Sequence, residues 1–116
     1  MKTLDRVFGW ALLAFGCLHI TASVFFMSKN LNLNSAWSFA GGLALIFGAF
    51  LNLIRVHRPQ DHALAGISFL ANLLLLILAA LLFWIMRHDL RQNPQVVLFV
   101  PPIGIEFLLS ARQWSR

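Results

Sequence analysis

Four long apolar runs follow one another along the chain, separated only by short polar segments. They cover about residues 7–27, 36–54, 63–86 and 96–111. Helical runs of this length match the roughly 30 Å hydrocarbon layer of a bilayer, and lipid admits only structures that pair their own backbone groups. The pattern therefore predicts an all-α fold: an integral membrane antiparallel four-helix bundle, with residues 1–116 as a single transmembrane domain.

The fourth run differs from the other three. It is the shortest, and it contains Pro101 and Pro102. Proline lacks a backbone donor, and its ring clashes with the preceding helical turn. We therefore expect a short fourth helix that is kinked at the prolines.

The segments between the runs have the composition of turns at a water interface. They read SKNLNLNS, RVHRPQDH and RHDLRQNP, with many Asn, Pro, Asp and charged residues. Tryptophan prefers the headgroup level of a bilayer, and each run has one tryptophan near an end: Trp10, Trp37, Trp84 and Trp114. Both features predict hairpin loops at these boundaries.

Composition and charge agree with a membrane protein. Hydrophobic residues make up 59% of the chain and charged residues only 11%, with a net charge of +5. The basic residues lie in pairs outside the apolar runs, which predicts membrane lipids and not nucleic acid as partners. Both termini are predicted to be cytoplasmic because most basic residues fall on their side of the bundle, namely Lys2, Arg6, Arg55, Arg58, Arg112 and Arg116.

Each run contains one strongly polar residue, and these four are the candidate site residues: His19, Asn52, Asn72 and Glu106. Such a side chain is costly in hydrocarbon unless it faces the protein interior. At a helical rise of 1.5 Å per residue, His19 lies about 18 Å, Asn72 about 14 Å and Glu106 about 8 Å from the cytoplasmic side. We expect these three to share a central polar cavity, with Asn52 near its cytoplasmic mouth.

Two interpretations of this polar set stay open. In the functional one, Glu106 changes between its neutral and ionised forms together with His19, as a ligand-binding or proton-linked site requires. In the structural one, the four residues form a hydrogen-bonded cluster that fixes helix register, with the asparagines joining helices. The residues alone do not decide between the two.

A stripe of small residues predicts close helix packing in the second run. Ala40, Ala44 and Gly48 recur at intervals of four, which places them on one helix face. That face would allow a neighbouring helix, or a second copy in a homo-oligomer, to approach closely.

No metal and no cofactor are expected. Cys17 is the only cysteine, and His57 and His62 are predicted to face the opposite side of the membrane from His88. Three ligands therefore do not converge in the predicted topology.

Two stretches in the first half of the chain, FGCLHI and AWSFAGGLALIFGAFLNLIR, resemble segments of a known group. This group comprises small, uncharacterised four-helix bacterial inner-membrane proteins that are loosely called DoxX-like. The resemblance implies a multi-pass protein of the bacterial cytoplasmic membrane and little about its activity.

Three functions fit the sequence. The leading hypothesis is binding or transport of a small or lipid-like, hydrophobic molecule through the His/Asn/Glu cavity. The first alternative is a structural or assembly subunit of a membrane complex, which an exposed small-residue stripe would favour. The second is an intramembrane enzyme that acts on an isoprenoid or lipid, with Glu106 and His19 as acid and base. A ligand-sized cavity around Glu106 would favour binding or catalysis.

Overall fold

A computed structural model describes residues 2–116 of the chain. Within these residues it contains four helices and no strand. They are α1 (Lys2–Lys29), α2 (Leu33–His57), α3 (His62–Met86) and α4 (Gln95–Trp114). Each helix is long and apolar enough to cross a membrane. The predicted all-α fold with four membrane-length helices is confirmed. Each helix also extends beyond its apolar run, because polar residues at the ends continue the helical backbone.

Two helices, α2 and α3, start within the predicted loop segments, and a side-chain cap stabilises each start. Before α2, Ser35 N–H donates to Asn32 Oδ1 at 2.9 Å, and Asn32 N–H donates to Ser35 Oγ at 3.1 Å. Before α3, Leu64 N–H donates to Asp61 Oδ1 at 2.9 Å. These bonds satisfy backbone donors that a helix start leaves unpaired. The polar loop segments therefore define where α2 and α3 begin.

The fourth helix is longer than its apolar run and continues through both prolines. It comprises 20 residues, with Pro101 and Pro102 inside it. Pro102 is buried, whereas Pro101 is exposed. The kink at this position stays a prediction.

The helices pack mainly in two pairs, α1 with α2 and α3 with α4. A small apolar core joins the pairs and consists of Leu12, Leu45, Ala49, Leu75, Ala79 and Ile103. Many other large apolar side chains are exposed, among them Leu18, Phe47, Leu74 and Leu108. An apolar exterior of this extent suits lipid and not water.

Two glycines bring α1 and α2 close together. A Cβ atom on Gly16 would lie 2.8 Å from Ile46 Cγ1, and one on Gly42 would lie 2.6 Å from Ile20 Cγ1. Neither position has room for a larger side chain unless the helices separate. Neither glycine belongs to the small-residue stripe predicted for the second run.

The predicted small-residue stripe divides between different environments. Gly48 is buried, and a Cβ there would lie 2.6 Å from Leu75 Cδ1 of α3. Ala44 is half-buried beside the core, and Ala40 is exposed. Within this stripe, only Gly48 is fully buried.

Candidate functional site

A buried arginine joins three helices at the end of the bundle where α2 ends. Arg55 Nη1 donates to Asp5 Oδ2 of α1 at 3.0 Å and to Gln113 Oε1 of α4 at 2.9 Å. Arg55 Nη2 donates to Asp5 Oδ1 and, at 3.0 Å, to Glu106 Oε2 of α4. The Arg55 and Glu106 side chains are fully buried, and Asp5 is nearly so. We call Asp5, Arg55, Glu106 and Gln113 the charged cluster.

The charged cluster corrects two sequence-based expectations. Arg55 was predicted to lie in a loop outside the apolar runs, but it is a buried residue of α2. Glu106 was expected to act together with His19, but Arg55 lies against it. Both errors arose because the hydropathy boundary fell one residue before Arg55.

The charges of this cluster do not balance when every group is ionised. Asp5 and Glu106 then contribute two negative charges against the single positive charge of Arg55. Within residues 2–116, Glu106 Oε1 and Arg55 Nε have no hydrogen-bond partner although both atoms are buried. One proton on a carboxyl group would balance the charge. The charged cluster therefore joins three helices, and one of its two carboxyl groups can take up a proton without leaving Arg55 unpaired.

Two asparagines form a second buried network beside the charged cluster. Asn52 Nδ2 donates to Asn72 Oδ1 at 3.0 Å, and Asn72 Nδ2 donates to Asn52 Oδ1 at 2.8 Å. Asn72 Nδ2 also lies 3.2 Å from Ser110 Oγ and 3.2 Å from the Glu106 carbonyl oxygen. This reciprocal amide pair joins α2 to α3 and α4. It matches the helix-joining role that the structural interpretation assigned to the asparagines.

The asparagine pair leads to a stability prediction. Replacing Asn72 with Leu leaves the buried Asn52 amide without its partner, and we expect the free energy of unfolding to fall by about 1–2 kcal/mol. Unfolding by denaturant in mild detergent, followed by tryptophan fluorescence, measures this loss. The double variant Asn52→Leu/Asn72→Leu removes both amides and should recover part of it. Equal losses in the single and double variants would show that packing alone causes the effect.

His19 belongs to a third group, near the start of α2. Its Nε2 lies 3.2 Å from Ser38 Oγ, and Ser38 Oγ lies 2.9 Å from Ser23 Oγ. Ser23 Oγ in turn donates to the His19 carbonyl oxygen at 2.8 Å. Each of these three hydrogen bonds has a donor when His19 Nε2–H donates to Ser38 Oγ and the Ser38 hydroxyl donates to Ser23 Oγ. In that neutral tautomer His19 Nδ1 is a hydrogen-bond acceptor.

An apolar cavity of about 420 Å³ adjoins His19 and lies among α2, α3 and α4. Its walls are mostly aliphatic and aromatic, and five side chains with hydrogen-bonding groups also line it: His19, Asn34, Trp37, Ser38 and Gln95. The Phe99 ring packs edge-on against His19, with 5.4 Å between the ring centroids. The volume lies within the range of small-molecule pockets. We call this space the apolar cavity.

The structure thus brings together only part of the predicted site. Asn52, Asn72 and Glu106 meet in adjoining networks, and Asn52 contacts Asn72 directly. Across residues 2–116, no hydrogen bond links His19 to Asn72 or Glu106, and those two residues do not line the apolar cavity. Depth along the helices grouped Asn72 with Glu106, as the structure does, but it also placed His19 with them. His19 lies ten residues, or about 15 Å, further along α1 than Gly9, the residue beside Glu106.

Sequence reasoning missed Asp5 and Gln113 because both lie outside the apolar runs. Helical periodicity contained a signal for Asp5, which falls on the same face of α1 as the buried residues Gly9, Leu12, Gly16 and Ser23. In residues 2–116, no group of three His, Cys, Asp or Glu side chains is placed to hold a metal ion.

Comparisons of the chain with protein-family models, with curated proteins and with solved structures find no match. Function is therefore argued from the cavity and the buried networks themselves.

Proposed function

We propose that this protein binds a small lipid-like molecule in the apolar cavity beside His19. The observation that carries the proposal is a ligand-sized space with apolar walls and a few hydrogen-bonding groups, about 420 Å³ in volume. Binding sites for apolar molecules combine these two features, because burial provides affinity and the polar groups fix orientation.

The lining residues indicate the chemistry of the ligand. None of the described residues that line the cavity is Asp, Glu, Lys or Arg. A charged head group would therefore enter without a compensating charge, which is costly in a membrane interior. Neutral His19 offers Nδ1 as an acceptor, while Asn34 and Gln95 offer amide donors and acceptors. A neutral head group such as a hydroxyl on a hydrocarbon body fits these partners.

The same proposal includes the arrangement of the helices in the membrane. Contacts near the chain termini join Asp5 to Arg55 and Gln113 to Pro59, whereas Ser23 meets Ser38 elsewhere in the bundle. These contacts support an antiparallel bundle. With both termini in the cytoplasm of a bacterium, as the basic residues favour, the apolar cavity lies toward the outer leaflet.

The contacts favour binding over the other hypotheses. The charged cluster and the asparagine pair fill the space between the helices on the side of the termini. This favours binding of a ligand over its transport along a continuous path through the bundle. Catalysis by Glu106 and His19 as an acid–base pair receives no support, because the two belong to separate networks. A structural subunit is the second candidate, since Ala40 presents a small residue on the exposed surface of α2.

Filling the cavity tests the proposal. Gly41 lines the cavity, and a Cβ there would have no neighbour within 4 Å, so Gly41→Phe should occupy ligand space without disturbing the fold. Native mass spectrometry of protein extracted with its membrane lipids reports bound molecules and oligomeric state together. We expect wild type to retain a hydrophobic molecule and Gly41→Phe to lose most of it.

The matched control is Gly104→Phe, because Gly104 also has open space at its Cβ position but does not line the cavity. This variant should retain the bound molecule as wild type does. Equal retention in wild type and both variants would place the ligand outside the cavity. Absence of a bound molecule from every sample would favour the structural-subunit candidate.

A further inference from the structure

A second cavity, of about 390 Å³, lies at the end of the bundle near the chain termini. It lies between the start of α1, the start of α3 and the end of α4. Its chemistry differs from that of the apolar cavity, because seven of the nine described residues that line it have charged or polar side chains. We call it the basic cavity, and its polar lining includes Lys2, Asp5, Gln60, His62, Arg112 and Arg116.

Among residues 2–116, one acid, Asp5, lines the basic cavity, and it is paired from inside the protein. Both carboxylate oxygens of Asp5 accept hydrogen bonds from Arg55, which is buried behind it. The Asp5 carboxylate therefore points at Arg55, and three basic side chains line the cavity against this one acid. One small space is lined by Lys2 of α1, by Arg112 of α4 and by Arg116 just beyond the end of α4. Like charges that share a cavity attract an anion.

We propose that the basic cavity binds a phosphate group. A phosphate presents several charged oxygens and so can accept bonds from lysine and arginine side chains that come from different directions. Gln60 and His62 add hydrogen-bonding groups on the α3 side of the cavity. A single carboxylate, with two oxygens, would use fewer of these partners.

The position of the cavity in the membrane identifies two sources of phosphate. Trp114 lies in the last turn of α4, near Arg112 and Arg116 in the chain, and its ring stacks on Phe69 with 5.0 Å between centroids. Tryptophan at a helix end marks the headgroup level of a bilayer. Phosphate at this level belongs to a phospholipid or comes from the adjoining aqueous phase. The chemistry at the site is the same in both cases.

This inference does not depend on the proposed function, because the basic cavity and the apolar cavity share no lining residue. Loss of one ligand would leave the other site intact. A variant of the basic cavity can therefore be tested in protein that still fills the apolar cavity.

The test compares two double variants with the same loss of charge. Lys2→Gln/Arg116→Gln removes two cations that line the basic cavity, and Arg6→Gln/Arg58→Gln removes two exposed cations that do not line it. Full-length protein in a neutral detergent is titrated with phosphatidylglycerol, with phosphatidylcholine and with inorganic phosphate. Native mass spectrometry counts the bound molecules.

We expect phosphatidylglycerol to bind wild type and the Arg6/Arg58 variant alike, and to bind the Lys2/Arg116 variant about 30-fold more weakly. The same pattern with inorganic phosphate would support the site and identify free phosphate as a ligand. Equal weakening in both variants would overturn the proposal, because general surface charge would then explain binding. The proposal would also be overturned if neither phosphatidylglycerol nor inorganic phosphate binds the wild-type protein.

A melting temperature for each variant ensures that the comparison is made on folded protein. If Lys2→Gln/Arg116→Gln does not fold, Arg112→Gln/Arg116→Gln changes the same cavity and replaces it. Weakened phosphatidylglycerol binding in that variant supports the site, and unchanged binding overturns it.

Discussion

Replacing Arg55 with Gln is expected to lower the free energy of unfolding by about 3–5 kcal/mol. The substitution leaves the Asp5 and Glu106 carboxylates buried at one place without a cation. It also removes charge-assisted hydrogen bonds that tie α2 to α1 and α4. Denaturant unfolding in mild detergent, followed by tryptophan fluorescence, measures the loss.

Two controls separate the charged cluster from general effects of removing an arginine. Arg58→Gln changes an exposed arginine three residues further along the chain, and its effect should stay within about 0.5 kcal/mol. The triple variant Asp5→Asn/Arg55→Gln/Glu106→Gln removes every charge of the cluster and should recover more than half of the loss. If Arg55→Gln and Arg58→Gln lower the free energy of unfolding equally, the buried ion pair does not stabilise the fold.

The second large effect is expected where α1 and α2 approach most closely. Gly42→Leu inserts a side chain where even a Cβ atom would lie 2.6 Å from Ile20 Cγ1 and 3.3 Å from the Ile20 backbone nitrogen. The backbone of α1 cannot rotate away as a side chain can, so the two helices must separate. Overpacking of this kind costs about 1–3 kcal/mol, and we expect the upper end of that range. The melting temperature in detergent is the measurement.

The preceding residue provides a matched control for this effect. Gly41 lies on the same helix, and a Cβ there would have no neighbour within 4 Å. Gly41→Leu adds the same atoms and should leave the melting temperature unchanged or raise it, since leucine is a better helix former than glycine. A similar fall in both variants would trace the effect to helix propensity and not to helix packing.

The four helices could be predicted from sequence because lipid imposes one strong condition. A segment that crosses hydrocarbon must be helical, long and apolar, so run length and composition together identify it. The ends of the helices were less accessible to this reasoning. Asn32 and Asp61 extend the helical region into polar segments through caps, which hydropathy does not detect.

The partners of the polar residues could be predicted only in part. Asn52, Asn72 and Glu106 were expected to face inward because exposure to lipid is costly, and all three are buried. Arg55 and Asp5 are separated by 50 positions, and each lies just outside an apolar run. Their pairing depends on how the helices are rotated against one another, which depth along the axis does not specify. His19 meets Ser38 and not Glu106 for a different reason, because it lies about 15 Å further along α1 than Gly9, the residue beside Glu106.

The members of the charged cluster are synthesised at different times, because Asp5 and Arg55 precede Glu106 in the chain. Asp5 and Arg55 are both present once α2 has been synthesised, so the first two helices enter the membrane with one acid and one base that neutralise each other. Glu106 arrives later, with α4, and brings a further acid but no further base for the buried site. The Asp5–Arg55 pair is therefore balanced before α4 is made, and Glu106 of α4 joins two side chains whose charges already match.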